Sequence, residues 1–204
     1  DVIEVSSIEW DILEDNIAHV MIHHFRKNID TEFRKIALDI LASDIKGIII
    51  DVRRNPGGFL EVTKQLGEWF MEKDEIFVIE DFPREKKEDR VSKTGRLSQY
   101  PVVVLIDKGS ASASEILAGA LRDNRGALLI GENSFGKGSI QTLRRLSDNS
   151  SIKITIASWL TPKGEMISGK GLAPDIEVEM TQEDYDRGRD PQLNKAVETI
   201  KEMI

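Results

Sequence analysis

Residues Pro101 to Leu143 read PVVVLIDKGSASASEILAGALRDNRGALLIGENSFGKGSIQTL, and their pattern decides the fold. A short apolar run, Val102 to Ile106, stands between Pro101 and the turn Asp107-Lys108-Gly109, which predicts a buried strand. The turn opens into Ser110-Ala111-Ser112-Ala113-Ser114-Glu115. Apolar residues then recur at Ala113, Ile116, Leu117, Ala120 and Leu121, the spacing of one helix face. A serine thus sits where a strand turns into a helix, near free N–H groups and the positive end of the helix dipole. A second strand, Ala127 to Ile130, leads to Ser134-Phe135-Gly136-Lys137-Gly138, a lysine held between two glycines.

Outward from this centre the chain keeps alternating. Val2 to Trp10 mixes apolar and polar residues like an edge strand, and Ile17 to Ile22 is a second strand. Thr31 to Ala42 has a helical apolar face, with Asp30 as its expected N-cap. Ile48 to Ile50 is a buried strand that runs into Asp51-Val52-Arg53-Arg54-Asn55-Pro56-Gly57-Gly58. A helix from Leu60 to about Met71 and a strand at Ile76 to Ile79 follow. Residues 81–99 are charged and rich in breakers, which predicts an exposed loop or hairpin. Ser151 to Leu160 alternates like a strand, Gly169 to Asp175 is an irregular loop, and Pro191 to Ile204 is a closing helix. The alternation of strand and helix from residue 17 to 131 predicts an α/β layered fold with a partly parallel sheet flanked by helices.

Composition narrows the chemistry. The 204 residues suffice for one domain with a real core, expected to span 1–204. A net charge of -8 without a basic block disfavours nucleic acid and anionic membranes as partners. No apolar run approaches the ~18 residues needed to span a bilayer. With no cysteine there is neither disulfide, thiol nucleophile nor thiolate metal site. The only histidines, His19, His23 and His24, crowd one early strand. His19 and His23 would share a face, so a metal site is conceivable, but histidines hydrogen-bonded at a strand end are the simpler reading. A serine nucleophile would then need lysine as its base, an established variant of the triad.

Each candidate has a plain structural alternative. Ser112-x-x-Glu115 spells a capping box, and Ser110 and Ser114 are equally available by spacing. Lys137 could be an ordinary surface lysine. Gly131-xxxx-Gly136-Lys137 imitates a nucleotide-binding loop, but Gly138 stands where a magnesium-binding Ser or Thr is required. Ser-x-x-Lys occurs at Ser43, Ser134 and Ser150, so that short pattern carries no information. Asn55-Pro56-Gly57-Gly58 makes a turn unaided. Its position between strand and helix also lets Gly57 or Gly58 supply one oxyanion-hole amide, with Ala113 as the other.

Four segments together carry a resemblance. Asp51-x-Arg53-x-Asn55-Pro-Gly-Gly58, Gly109-Ser-Ala-Ser-Ala-Ser-Glu-Ile116, Phe135-Gly-Lys-Gly138 with Gln141, and Gly169-x-Gly171-x-x-Pro-Asp175 stand in one order at family-like spacing. The chain resembles the protease domain of the carboxyl-terminal processing (tail-specific) proteases, serine–lysine peptidases with a core related to crotonase and Clp protease. The resemblance covers about Glu4 to Val178. It implies Ser112 as nucleophile, Lys137 as base, Gln141 as the residue orienting the lysine, and the amides of Gly58 and Ala113 as oxyanion donors. It also implies protein or peptide substrates with free C-terminal tails, no metal or organic cofactor, and a location in the cell envelope, periplasmic or extracytoplasmic. A PDZ domain, usual just before this region in the family, is expected in the full-length protein and is absent from these residues. Non-catalytic ligand binding on the same core and crotonase-like acyl-thioester chemistry are the competing expectations. For Lys137 to act as base it must be neutral, which predicts burial among apolar groups.

Overall fold

The computed structural model describes residues 6–204. Ten strands and five helices follow one another in the order β1 (Ile8–Leu13), β2 (Ile17–Ile22), α1 (Ile29–Ala42), β3 (Gly47–Asp51), α2 (Leu60–Gly67), β4 (Ile76–Phe82), β5 (Glu85–Arg90), β6 (Val102–Ile106), α3 (Ala113–Arg125), β7 (Leu128–Gly131), β8 (Ser139–Arg145), β9 (Ser151–Leu160), β10 (Ile176–Glu177), α4 (Gln182–Arg187) and α5 (Pro191–Met203). They form two sheets. The first has the order β1-β2-β3-β6-β7-β10, with β1 antiparallel to β2 and every other pairing parallel. The second, β5-β4-β9-β8, is antiparallel throughout.

The continuous apolar runs of β3 and β6 reflect burial on both faces, as a parallel sheet requires. Side chains alternate across the sheet. Ile48, Ile50, Val102, Val104 and Ile106 join the larger core with α1, α2 and α3 residues such as Phe33, Leu66 and Leu117. Ile49, Val103 and Leu105 face the other way, onto Ala196 and Ile200 of α5.

Register then decides where the loops emerge. Asp51 at the end of β3 lies beside Leu105, and Ile106 at the end of β6 lies beside Gly131. The segments after β3, β6 and β7 therefore leave one sheet end side by side. Ligand sites of open parallel sheets lie at such carboxyl ends.

Several expectations shift at their edges. The first strand is β1, Ile8 to Leu13, and it is indeed an edge; the expected Val2 to Val5 portion lies outside the described residues. Helix α1 begins at Ile29 with Asn28 as N-cap, because Ile29 is itself fully buried and draws the first turn inward. Helix α2 stops at Gly67, whose backbone packs so closely on Phe77 that a Cβ there would lie 2.5 Å from the ring. Residues 76–90 form the β4–β5 hairpin. Strands β8 and β10 and helix α4 had no expectation attached; two of them are short and the third is polar.

Candidate active site

The loop after β3 is organised by Asn55, which is fully buried. Its Nδ2 donates to the Ile22 carbonyl at 2.8 Å, and its Oδ1 accepts the Gly57 N–H at 2.9 Å. Its carbonyl accepts the Ala111 N–H at 3.0 Å and the Ser114 hydroxyl at 2.9 Å. One residue thus joins β2, the Pro-Gly-Gly turn and the serine turn. Gly57 has φ +100°, and a Cβ on it would lie 2.9 Å from both Ser112 Cβ and the Ala113 nitrogen. Only glycine lets the two loops approach this far.

The three serines separate by their partners. Ser110 is buried; its hydroxyl donates to the Val52 carbonyl at 2.8 Å and accepts the Asp107 N–H at 3.0 Å. Ser114 is buried and spent on Asn55. Ser112 is half-buried at the N-cap of α3, with φ +58° and ψ -115°, a conformation unfavourable for any residue bearing a Cβ. Such outliers persist where the surroundings over-determine them, and here Glu115 does so: its Oε2 accepts the Ser112 N–H at 2.8 Å.

Glu115 also receives the lysine loop. The Lys137 N–H reaches the same Oε2 at 2.9 Å, while Oε1 accepts the Gly136 N–H and the Ser134 hydroxyl, both at 2.6 Å. A single fully buried carboxylate therefore fastens the backbone of the serine to the backbone of the lysine. The textual capping box contained this residue, but nothing in its spacing announced the contacts to residues 134–137. The Gly169–Asp175 segment closes over the same loop: Gly169 N–H donates to the Gly136 carbonyl at 2.9 Å, and Leu172 N–H to the Ser134 hydroxyl at 2.7 Å.

The two amides expected as oxyanion donors lie in the loops that meet at the serine turn. Phe25 pairs with the turn through its own N–H to Gly57 O and through Phe59 N–H to Phe25 O, so the Gly58 N–H of that bridge points the other way, and Gly58 is exposed. Ala113 holds the first helical position, where the N–H has no intrahelical acceptor.

Lys137 departs from the expected burial, since its side chain is exposed, and with the glycine-flanked loop around it no hydrogen bond joins it to Ser112 among the described residues. The physical reason is that the loop is tied down through the Ser134 hydroxyl and the Gly136 and Lys137 amides, none of which fixes the lysine side chain. Gln141 is likewise exposed, with Nε2 donating to Thr155 Oγ1 at 3.4 Å.

The histidines stand apart from this cluster. His19 is buried, with Nε2 3.1 Å from Asp51 Oδ2; His23 is exposed, 3.7 Å from Glu9. Among the described residues no three His, Asp or Glu side chains group as a metal site. Asp51 also accepts Arg53 through both oxygens, and Arg53 reaches on to Asp190 and Gln192. Burial alone would raise the Asp51 pKa, but hydrogen bonds from His19 and Arg53 and the guanidinium charge outweigh it and hold it at about 2. The same carboxylates push the Arg53 pKa up against its own burial. The Asp-x-Arg of the motif is therefore a tie between the turn after β3 and the N-cap of α5.

Parallel strands thus deliver a Gly-Gly turn, a strained serine at a helix start and a lysine loop to one sheet end. Residues 16–178 match peptidase family S41, and the chain belongs to that family. It is 36% identical over 205 residues to a carboxy-terminal-processing protease of Bartonella bacilliformis, covering 96% of this chain and 46% of that protein. It is also 36% identical over 181 residues to the carboxy-terminal processing protease CtpB of Bacillus subtilis, covering 89% of this chain and 37% of that protein. Among solved structures, the photosystem II D1 C-terminal processing protease superposes with a TM-score of 0.77 at 28% identity, covering 87% of this chain and 49% of that one. The chain thus spans less than half the length of these relatives.

Proposed function

We propose that the 204 residues are a single protease domain of a serine endopeptidase that cleaves proteins near unstructured, apolar C-terminal tails. The observation that carries this reading is the convergence on Glu115, which binds the backbones of Ser112 and Lys137 through one oxygen. Ser112 is the nucleophile because Ser110 and Ser114 have spent their hydroxyls on backbone carbonyls. Neutral Lys137 takes the Ser112 proton as Oγ attacks the scissile carbonyl; the oxyanion is received by the Gly58 and Ala113 amides. Collapse expels the new amine, which takes the proton from the lysine, and water then hydrolyses the acyl-enzyme by the same route.

The reaction requires the Lys137 side chain to turn inward, with Gln141 orienting it. Its flexible stem and the glycines at 136 and 138 permit that movement, and catalytic hydrogen bonds commonly tighten only with substrate bound. The full-length protein is read as carrying a PDZ domain that engages the tail, and as working outside the cytoplasm. No helix among the described residues is long and apolar enough to cross a membrane.

The test is twofold. A fluorophosphonate should label Ser112 alone, located by peptide mass mapping, and an unstructured protein with an apolar tail should be cut by wild type and spared by Ser112→Ala. Labelling elsewhere, or undiminished cutting by Ser112→Ala, would remove the assignment. Turnover of an acyl thioester without peptide cleavage would favour the crotonase-like alternative.

A further inference from the structure

Strands β3, β6 and β7 lie side by side, so the loops after β3 and β7 flank the β6 loop that carries Ser112. Each flanking loop sets a phenylalanine beside a group that must reach the scissile carbonyl. Phe59 follows Gly58 directly and is 52% exposed; Phe135 stands two residues before Lys137 and is 66% exposed. Their backbones are fixed, the Phe59 N–H by the Phe25 carbonyl at 2.9 Å and the Phe135 N–H by the Ser110 carbonyl at 3.0 Å. Neighbouring strands lie ~4.8 Å apart, which puts the two loops roughly 10 Å apart, about three residues of an extended peptide. A chain crossing the sheet end over Ser112 therefore passes one ring before the scissile bond and the other after it. Because the rings adjoin the groups that touch the carbonyl, they border that path whatever else covers the domain.

The two rings differ in what stands against them. Phe135 has neither a ring nor a cation against it among the described residues. Phe59 carries the Lys27 ammonium, 5.6 Å from its ring centroid. Phe25, two residues before that lysine, forms the bridge to Gly58, so one short turn holds the lysine in place beside the oxyanion turn. Lys27 is exposed and has no ion pair among the described residues; Glu32, close to it in the chain, accepts from Asn28 instead. A ring attracts an ammonium without neutralising it, and the N–H donors pointing away from the ring stay free for a carboxylate. A chain of net charge -8 repels an acidic guest over most of its surface, so a free ammonium here discriminates.

We infer that Lys27 and Phe59 form a subsite for an acidic side chain, aspartate or glutamate, on one side of the scissile bond, and that Phe135 forms an apolar subsite on the other. The methylene stem of the acidic residue lies on the Phe59 ring while its carboxylate meets the Lys27 ammonium. Neither residue takes part in the proton transfers; they determine which bond of an unstructured segment is presented to Ser112. The inference rests on the reading of Ser112 as nucleophile and concerns the choice of bond within the substrate.

The test uses apolar peptides in which glutamate or glutamine is moved through successive positions, with the cut bonds located by mass spectrometry. One position beside the cut should favour glutamate over glutamine about fivefold in kcat/KM, and the position across the bond should favour leucine over serine by a similar factor. Lys27→Gln should erase the first preference alone, and Phe135→Ser the second alone. Lys27→Glu should invert the first, so that a lysine in the peptide is preferred to glutamine, a reversal that a damaged fold would not give. Added salt should weaken the acidic preference and leave the apolar one. The same glutamate and glutamine peptides are compared by fluorescence anisotropy on Ser112→Ala, where no turnover is needed and the Lys27-dependent difference should persist. Equal treatment of glutamate and glutamine in both assays, a preference unmoved by Lys27→Glu, or both preferences on one side of the cut would overturn the inference. A wild-type enzyme that labels at Ser112 and cuts without these preferences would lose this inference and keep the catalytic one. Labelling elsewhere, with Lys27-dependent binding intact, would lose the catalytic assignment and keep the Lys27 subsite.

Discussion

A single hydroxyl among three serines is left available for chemistry, and it sits on the most strained backbone of the site. Ser112 holds φ +58° and ψ -115° only because Asn55 and Glu115 pin the loops around it. Ser112→Ala and Lys137→Ala should each lower turnover by several orders of magnitude. The double variant should be little worse than either, because on the proposed mechanism the two residues act as a unit; steady-state rates on one peptide substrate decide it. Strain makes a separate prediction about stability. Ser112→Gly should be as inactive as Ser112→Ala yet more stable by about 1 kcal/mol, since glycine alone accepts this conformation cheaply. Urea melts of the two inactive variants provide the comparison, and equal midpoints would count against strain at this position.

At the scale of elements, the site is three loops from adjacent parallel strands, fastened to one another rather than to a common floor. Glu115 is the fastener, accepting four donors from Ser112, Ser134, Gly136 and Lys137. Glu115→Gln replaces one acceptor oxygen by an NH2 group that faces donors, and an unsatisfied buried donor costs on the order of 2 kcal/mol. The expected outcome is a lower melting temperature together with a kcat reduced at least tenfold, because the Lys137 loop loses its tie to the Ser112 backbone. Gly57→Ala attacks the other junction. Its added methyl would meet the Ala111 carbonyl at 2.7 Å, with φ +100° also unfavourable, so activity should fall a hundredfold or more even where the fold survives. Active-site labelling at matched folded fraction is the measurement.

The whole molecule is tied across its sheet by Asp51, Arg53 and Asp190, and this tie gives stability a pH dependence. The Asp51 carboxyl is more acidic in the folded chain, at about 2, than in the unfolded one, near 3.9. Protonation therefore favours unfolding. The contribution, on the order of 2 kcal/mol, is complete above about pH 4 and is lost as pH falls toward 2. Asp51→Asn should be less stable at pH 6, because Arg53 and His19 lose their charged partner, and its stability should fall less steeply than wild type between pH 4 and 2. Chemical denaturation at a series of pH values measures both slopes; parallel curves would mean that another carboxylate carries the acid sensitivity.

The local units were legible in the sequence because each arises within a few residues. Apolar runs of three to five bounded by turn residues became β3, β6 and β7, the 3.6-residue spacing became α3, and Asn55-Pro56-Gly57-Gly58 became the turn beside the serine. Partners far apart in the chain were settled only by tertiary structure. The engagement of Ser110 and Ser114, which leaves Ser112 as the proposed nucleophile, comes from carbonyls at Val52 and Asn55, 58 and 59 positions away. His19 gained Asp51 as its partner, and Arg53 reached Asp190 across 137 positions of chain. The exposure of Lys137 has the same origin. Sequence pattern specifies which way a side chain faces relative to its own strand or helix, but burial depends on what else packs there: Gly138 is buried against Ser168, while the Lys137 side chain beside it is exposed.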